Sequence, residues 1–503
     1  MRLKAGLALA LLALPAPAMA QQPANLTKHW DETPGARSVP FGGQTYVNHG
    51  LVAVGRLSAR TRDFRGETLG SFSGMALTAW RRNPDGSYSG GLLTLPDRGP
   101  GNVGPIGEST DYADRVHSHR LTLKGAKLEI TPTGGFLLRD AMGQPFIGKD
   151  PGDNVVNRRG VAYPSLNTGR GAGRLSLDPE SIARLPDGRF YVSDEYTAGI
   201  YLFDRSGRQV GAIPAVPALL PMTDGRLNFN STKPPTTGRR NNQGLEAVSV
   251  SPDGTRLMTM LQSAAMQDST GTGGEARRNT RVLIYDISRT RSPRRPIGHY
   301  VLQLPVLREA GDGGPADAAA AQSEMVALND GQFLVLSRDG LGRGKGSPRP
   351  PVFKSVLLAD IAGATNLAGT DFEVGVKPVA LDGRLVAGIL PVRQVELVNL
   401  LNPVQLARVG MNLETAPSTP ASLSEKWEAL ALAPMLDKAA PHDVLLFVGN
   451  DNDFETANGR VNGVDFDASL TGKDGSGVGD NDSVILVYRL TLPTFGPPRP
   501  PRD

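Results

Sequence analysis

Four stretches of the chain carry a glutamate at their start followed by strict alternation. They are PESIARLPDGRFYVSDE from Pro179, LEAVSVSPDGTRLMTMLQS from Leu245, SEMVALNDGQFLVLSRD from Ser323, and WEALALAP from Trp427 with VLLFVGNDND downstream. Counting from each glutamate, positions +2 and +4 are Ile182 and Arg184, Val248 and Val250, Val326 and Leu328, Leu430 and Leu432, while +1 and +3 are mostly Ala or Ser. A period of two with one large and one small face describes a strand packed between sheets. Three units then reach Asp-Gly, at Asp187-Gly188, Asp253-Gly254 and Asp330-Gly331, a strong hairpin signal because Gly accepts positive φ. Folding each unit about its turn sets Glu180 opposite Glu195 and beside Asp194, Glu246 opposite Leu261 and beside Gln262, and Glu324 opposite Ser337 and beside Arg338, to within about one residue. In the fourth unit the turn spans 434–441 and Asn450 returns near Glu428.

A weaker copy, FSGMALTAW at 72–80, turns at Asp85-Gly86 and returns through LLTLPDRGP with Asp97 and Arg98, but has no glutamate. The glutamates start 66, 78 and 104 residues apart, leaving room for outer strands such as RVLIYDI and SVLLADI. Hairpin plus outer strands, repeated, predicts an all-β fold, a single β-propeller of about six blades. Closure is expected where the terminal strand at 483–490 pairs with N-terminal material. The 60 Gly, 40 Pro and 6% aromatic content agree with many turns and short elements. Residues 50–491 form the expected propeller domain, after an N-terminal extension at 21–49 and before a disordered Pro-rich tail at 492–503. Gly-, Pro- and polar-rich loops at 225–243, 266–280, 309–321 and 340–351 belong on the propeller faces.

Residues 1–20 place Arg2 and Lys4 before an apolar run that ends Ala18-Met19-Ala20, a secretory leader with cleavage expected near Ala20 and a periplasmic or secreted destination. No other segment approaches the ~18 apolar residues of a membrane span. The absence of cysteine removes disulfides, thiolate metal sites and a cysteine nucleophile. A net charge of +4 with scattered Arg suits a small anionic substrate, and without an aromatic-basic module nucleic acid is not expected as a partner. The sequence leaves the oligomeric state open.

If the Glu-led strand is the innermost of each blade, four carboxylates converge on one channel mouth. Like charges withdrawn from water raise one another's pKa, and a hard cation offsets that cost. Ca²⁺ accepts 6 to 8 oxygen ligands in loose geometry, and the candidate ligands are Glu180, Asp194, Glu246, Gln262, Glu324, Glu428, Asn450 and Asp451. Two EF-like runs fail in detail: DNDFE has Thr456 where the loop needs Gly, and DGSGVGDND has Ile485 in place of the closing Glu.

The ordered motifs DPESIARLPDG, NNQGLEAVSVSPDG, SEMVALNDG with LSRDG, KWEALALAP and GNDNDF, with LPDRGP upstream, resemble the phytase-like family of bacterial secreted proteins described by an esterase-like activity of phytase. The resemblance runs from about Gly50 to Leu490. It implies a propeller related to calcium-dependent phosphate-ester hydrolases whose channel-mouth carboxylates hold several Ca²⁺ ions. The family's glutamate and DND positions match Glu180, Glu246, Glu324, Glu428, Asn450 and Asp451, whereas individual phosphate ligands do not map.

The expected activity is hydrolysis of a phosphate or carboxylic ester by a metal-activated water, with a ring glutamate, Glu246 or Glu180, as base. Arg98, Arg338 and Lys426, each next to a ring position, are candidate anion clamps. Arg338 is alternatively a neutralising partner for Glu324. A non-catalytic propeller with a structural metal, binding a ligand or envelope partner, and a lactonase-type propeller remain alternatives. There is no Gly-x-Ser-x-Gly elbow. His117 and His119 share a strand face but lack a third ligand and read as surface residues. GLGRGKGS at 340–347 fails the P-loop spacing.

Overall fold

The computed structural model describes residues 25–309, 316–344, 349–471 and 477–496. The leader, its cleavage near Ala20 and residues 497–503 of the tail lie outside the described residues, as does part of the 340–347 and 474–482 segments.

Four-stranded antiparallel units repeat around one axis. Blade 1 is Gly74–Arg82, Tyr88–Leu95, Arg115–Lys124 and Lys127–Leu137; blade 2 is Pro179–Arg184, Phe190–Asp194, Gly199–Phe203 and Gln209–Ile213. Blade 3 is Leu245–Val250, Arg256–Leu261, Asn279–Asp286 and Gly298–Gln303; blade 4 is Ala321–Ala327, Gln332–Arg338, Lys354–Asp360 and Arg393–Asn399. Blade 5 takes Lys426–Pro434, Asp443–Asp451 and Ser483–Thr491 from the C-terminal part and its outermost strand, Gln44–Leu57, from the N-terminal part. The expected closure is therefore seen, with Val47 paired to Thr491 and Leu57 to Ser483.

The first strands of the blades touch in order from blade 1 to blade 5 and back to blade 1, so five blades complete the circle among the described residues. This corrects the expected count of about six. The 104-residue interval before Glu428 holds the outer strands of blade 4, a connection between Asp360 and Arg393, and residues 400–425, which carry a short helix at Pro403–Ala407. The expected domain boundary at residue 50 falls inside the strand Gln44–Leu57. Part of the N-terminal extension is docked as well: Asn25–Leu26 pairs with Val306–Leu307, and Trp30 Nε1 donates to Pro351 O at 2.9 Å.

The alternation read in the sequence becomes the packing between blades. Ala183 on the small face of blade 2 shares one buried cluster with Val248 and Leu257 of blade 3, Ala247 of blade 3 shares another with Met325 of blade 4, and Ala429 and Ala431 of blade 5 share a third with Met75 of blade 1. Small side chains near the axis let adjacent sheets approach, and each large residue buried between them contributes about 1.5–3 kcal/mol. The Asp-Gly turns lie on one face, where Gly188 (φ +85) and Gly254 (φ +74) take the left-handed conformation. The glutamates start the same strands and therefore lie at the opposite face. Among the described residues no helix is long and apolar enough to cross a membrane.

Candidate functional site at the channel mouth

Pairing between the first and second strands slips at this mouth in four blades, between Pro179 and Ile182, Leu245 and Ala247, Gln322 and Glu324, and Trp427 and Ala429. A bulge leaves the extra residue out of the ladder and re-aims its side chain. The residues so released are Glu180 with Ser181, Glu246, Ser323 and Glu428. Glu324 is thus one residue beyond the position that Glu246 and Glu428 hold, which corrects the sequence alignment of the four glutamates: Ser323 occupies the fourth slot.

Asp178, Glu180 and Glu195 are buried and bring one carboxylate oxygen each to within 4.8 Å of one another. Arg98, from the loop after the second strand of blade 1, donates to Asp178 Oδ2 at 2.9 Å and to Asn242 Oδ1 at 2.5 Å. Burial, then the neighbouring Asp178, pushes Asp97 up to about 7, and burial against the partial relief of Arg98 leaves Asp178 at about 7. Burial and then Glu246 push Glu180 well above the ordinary carboxylate range, and burial followed by Glu195 and Glu428 does the same to Glu246. Burial, then Asp453, raises Asp451 likewise. On the blade 5 side, Arg338 pairs with Glu428, and Lys426 Nζ lies 2.6 Å from Asp453 Oδ1 and 3.6 Å from Asp451 Oδ2. Glu180, Glu246, Glu428, Asp451, Arg98, Arg338 and Lys426 therefore do come together.

Other expected ligands are placed elsewhere. Asp194 is enclosed by donors, accepting from the backbone of Asp178, Tyr196 and Thr197 and from the Thr197 and Tyr201 hydroxyls, with burial raising it to about 6. Asn450 accepts from Val484 N at 2.5 Å and donates to Asp482 O at 3.2 Å, pinning two strands together. Gln262 is half-buried, and no side-chain hydrogen bond ties it to the cluster among the described residues. Glu324 lies inside the channel, bonded to Ser181 and Met325. Arg338 neutralises Glu428 and not Glu324. His117 and His119 are buried, not on the surface: His117 Nε2 is 3.5 Å from Asp63 Oδ2, and His119 Nε2 is 2.9 Å from Thr94 Oγ1.

Asp178, Glu195, Asn242 and Asp453 are the mouth residues that sequence reasoning missed. Asp178 precedes Glu180 by two residues and Glu195 follows Asp194, so both stood in the quoted motifs, but neither falls on the repeated glutamate position from which the ligands were chosen. The 225–243 loop is also more ordered than its composition suggests. Its Arg239 is buried and donates to the Tyr196, Phe229 and Asn230 carbonyls. Gly244 follows this loop, and a Cβ there would lie 2.1 Å from Glu195 O.

Above the cluster opens a cavity of about 780 Å³ whose lining includes Arg98, Asn102, Lys149, Ser231, Thr232 and Asn242. A neighbouring one of about 440 Å³ shares Arg98 and Asn102 and adds Asp97, Lys426 and Asp453. Further along the channel lies a cavity of about 470 Å³ between aliphatic residues of all five inner strands, Leu77, Ile182, Val248, Val326 and Leu430 among them. Three buried carboxylates facing one another, with the Arg98 guanidinium bonded to one of them, form an all-oxygen donor set, and that set fits a hard divalent cation.

The family model for phytase-like proteins, described as "Esterase-like activity of phytase", matches residues 67–454. An uncharacterized secreted protein of Arthroderma benhamiae is 30% identical over 474 residues, covering 85% of this chain and 91% of that protein. Among solved structures, a protein of unknown function from Dyadobacter fermentans aligns over 92% of this chain and 100% of its own at 11% identity and a TM-score of 0.32. Pseudomonas fluorescens PhoX in complex with vanadate, a transition state analogue, aligns over 94% and 99% at 9% identity and a TM-score of 0.31. On the family match across most of its length, the chain belongs to the phytase-like, esterase-like-activity-of-phytase family.

Proposed function

We propose that this protein is a secreted, calcium-dependent hydrolase of phosphate or carboxylic esters, working at the channel mouth. The observation that carries the reading is the buried trio Asp178, Glu180 and Glu195 beside Arg98, whose side chain also lines a polar cavity open to solvent. Asp178, Glu180 and Glu195 would hold the cation. Bound there, Ca²⁺ supplies a Lewis acid for the ester oxygen and lowers the pKa of a coordinated water.

The chain's own groups do the rest. Arg98 keeps its guanidinium at the cavity edge through Asp178 and Asn242 and presents it to an anionic ester. Glu246, beside the trio and held above the usual carboxylate range first by burial, is the candidate base for the attacking water. Arg338 and Lys426 offset the charge of Glu428, Asp451 and Asp453 and so keep the blade 5 side of the mouth from repelling an anion. The family's description and the secreted relative support this reading.

The test is turnover of p-nitrophenyl phosphate and p-nitrophenyl acetate by the full chain with calcium and then with a chelator. Chelator-sensitive turnover that disappears in Glu180→Gln is the expected result. Melting that responds to calcium with no turnover of either ester would leave only a structural ion.

A further inference from the structure

The reaction above has no use for a buried polar pair inside the channel. Ser181 Oγ lies 2.9 and 2.8 Å from the two carboxylate oxygens of Glu324 and 3.2 Å from Val248 O. Ser181 belongs to blade 2, Val248 to blade 3 and Glu324 to blade 4, so the contact crosses the channel between blades that are not neighbours. Both residues are almost wholly enclosed, Ser181 at 0% and Glu324 at 2% exposure.

Two departures from the repeat meet here. The bulge of blade 2 leaves two residues unpaired, Glu180 and Ser181, where those of blades 3 and 5 leave one. Two unpaired residues lack the ladder bonds that fix a strand, so other anchors must hold them. Ser181 N donates to Ser193 Oγ at 3.0 Å, and its hydroxyl is tied to Glu324. The residues that match Ser181 in blades 3 and 5 are Ala247 and Ala429, with no hydroxyl to offer. Blade 4, whose bulge is filled by Ser323, is the blade that supplies a carboxylate one residue later. Blade 1 closes the other side: a Cβ on Gly74 would stand 2.8 Å from Glu180 O and 2.9 Å from Ser181 Cα.

We propose that Glu324 is a positioning residue. Acting through Ser181, it fixes the blade 2 bulge and thereby holds the Glu180 carboxylate toward Asp178 and Glu195. The inference rests on reading that trio as a cation seat, and it assigns Glu324 a task different from that of the three ligands. An acceptor oxygen is what Ser181 needs, so an uncharged acceptor should serve as well as a carboxylate.

The experiment is calcium titration by calorimetry on the full chain and on S181A, E324Q, E324A and S181A/E324A, with a metal-free crystal structure of S181A. Loss of a residue that orients a ligand should weaken calcium binding about tenfold in S181A and E324A, with E324Q within about twofold of wild type and the double variant no weaker than either single. The S181A structure should show the Glu180 carboxylate displaced from Asp178 and Glu195. Wild-type affinity in S181A overturns the proposal, and so does E324Q binding as weakly as E324A, which would mean that the charge of Glu324 acts directly. If the wild-type chain binds no calcium, the cation reading fails by itself. The crystal structure then decides, and an unmoved Glu180 in S181A overturns the positioning role.

Discussion

Arg98 donates to Asp178 at 2.9 Å, and through the same nitrogen to Asn242, so one guanidinium from blade 1 links the segments that lead into blades 2 and 3. Replacing it with methionine removes both the cavity's cation and the partner of a buried carboxylate. R98M is expected to lower kcat/KM for a phosphomonoester by about 100-fold, and R98K by less because it keeps the charge but not the forked geometry. Steady-state kinetics with calcium present check this, and equal loss in both variants would contradict it.

The metal-free protein should become less stable as pH rises from about 4 to about 7. Asp97 and Asp178 have folded pKa values of about 7 against an ordinary 3.8, so the folded state holds protons that the unfolded state has released. Their contribution is complete below the unfolded value and is lost as pH climbs through the folded one, on the order of a few kcal/mol. Calcium favours the ionised carboxylates, so the rise in Tm on adding it should grow over the same interval. Calorimetric melts at several pH values, with and without chelator, test both trends; a calcium effect independent of pH would refute the second.

Arg338 and Glu428 join blades 4 and 5 as a buried pair. Removing one partner strands a charge, so R338M is expected to cost about 3–5 kcal/mol, with much of the loss recovered in R338M/E428Q. Urea unfolding of the single and double variants measures it. Additive losses would mean the pair is not the unit that matters.

Gly244 has no room for a methyl group against Glu195 O. G244A should push Glu195 away from Asp178 and Glu180, and is expected to cost about 1–3 kcal/mol and to weaken calcium binding. Calorimetry and urea unfolding read the two effects separately.

Much of this architecture was legible because inner strands packed on both faces must alternate large and small residues, and because Asp-Gly fixes a hairpin. Trp427, Asn450, Leu245 and Leu261 pair within one residue of where the turns placed them. The number of blades was not legible, since a long connection and an extra blade occupy similar lengths of chain. At the mouth the repeat itself misled. Glu324 precedes its turn much as Glu246 does, but the one-residue bulge of blade 4 falls on Ser323, and period two turns such a slip into a change of direction. Asp178 and Glu195 were hidden for the related reason that their roles depend on loops crossing from other blades. Arg239 and Gly244, which brace Glu195 and its neighbour Tyr196, lie in and just after a face loop whose polar, Gly- and Pro-rich composition gives no sign of a buried anchor.

Because Val47 is hydrogen-bonded alongside Thr491, the outermost strand of blade 5 has to wait for nearly the entire polypeptide before it finds its neighbour. Until residue 491 has been made, the edges of blades 1 and 5 stay open to pairing with other chains, and contacts of such long sequence separation form slowly. Ring closure is therefore expected to come last in assembly, and removing either Gln44–Leu57 or Ser483–Thr491 should undo the whole circle instead of trimming one strand.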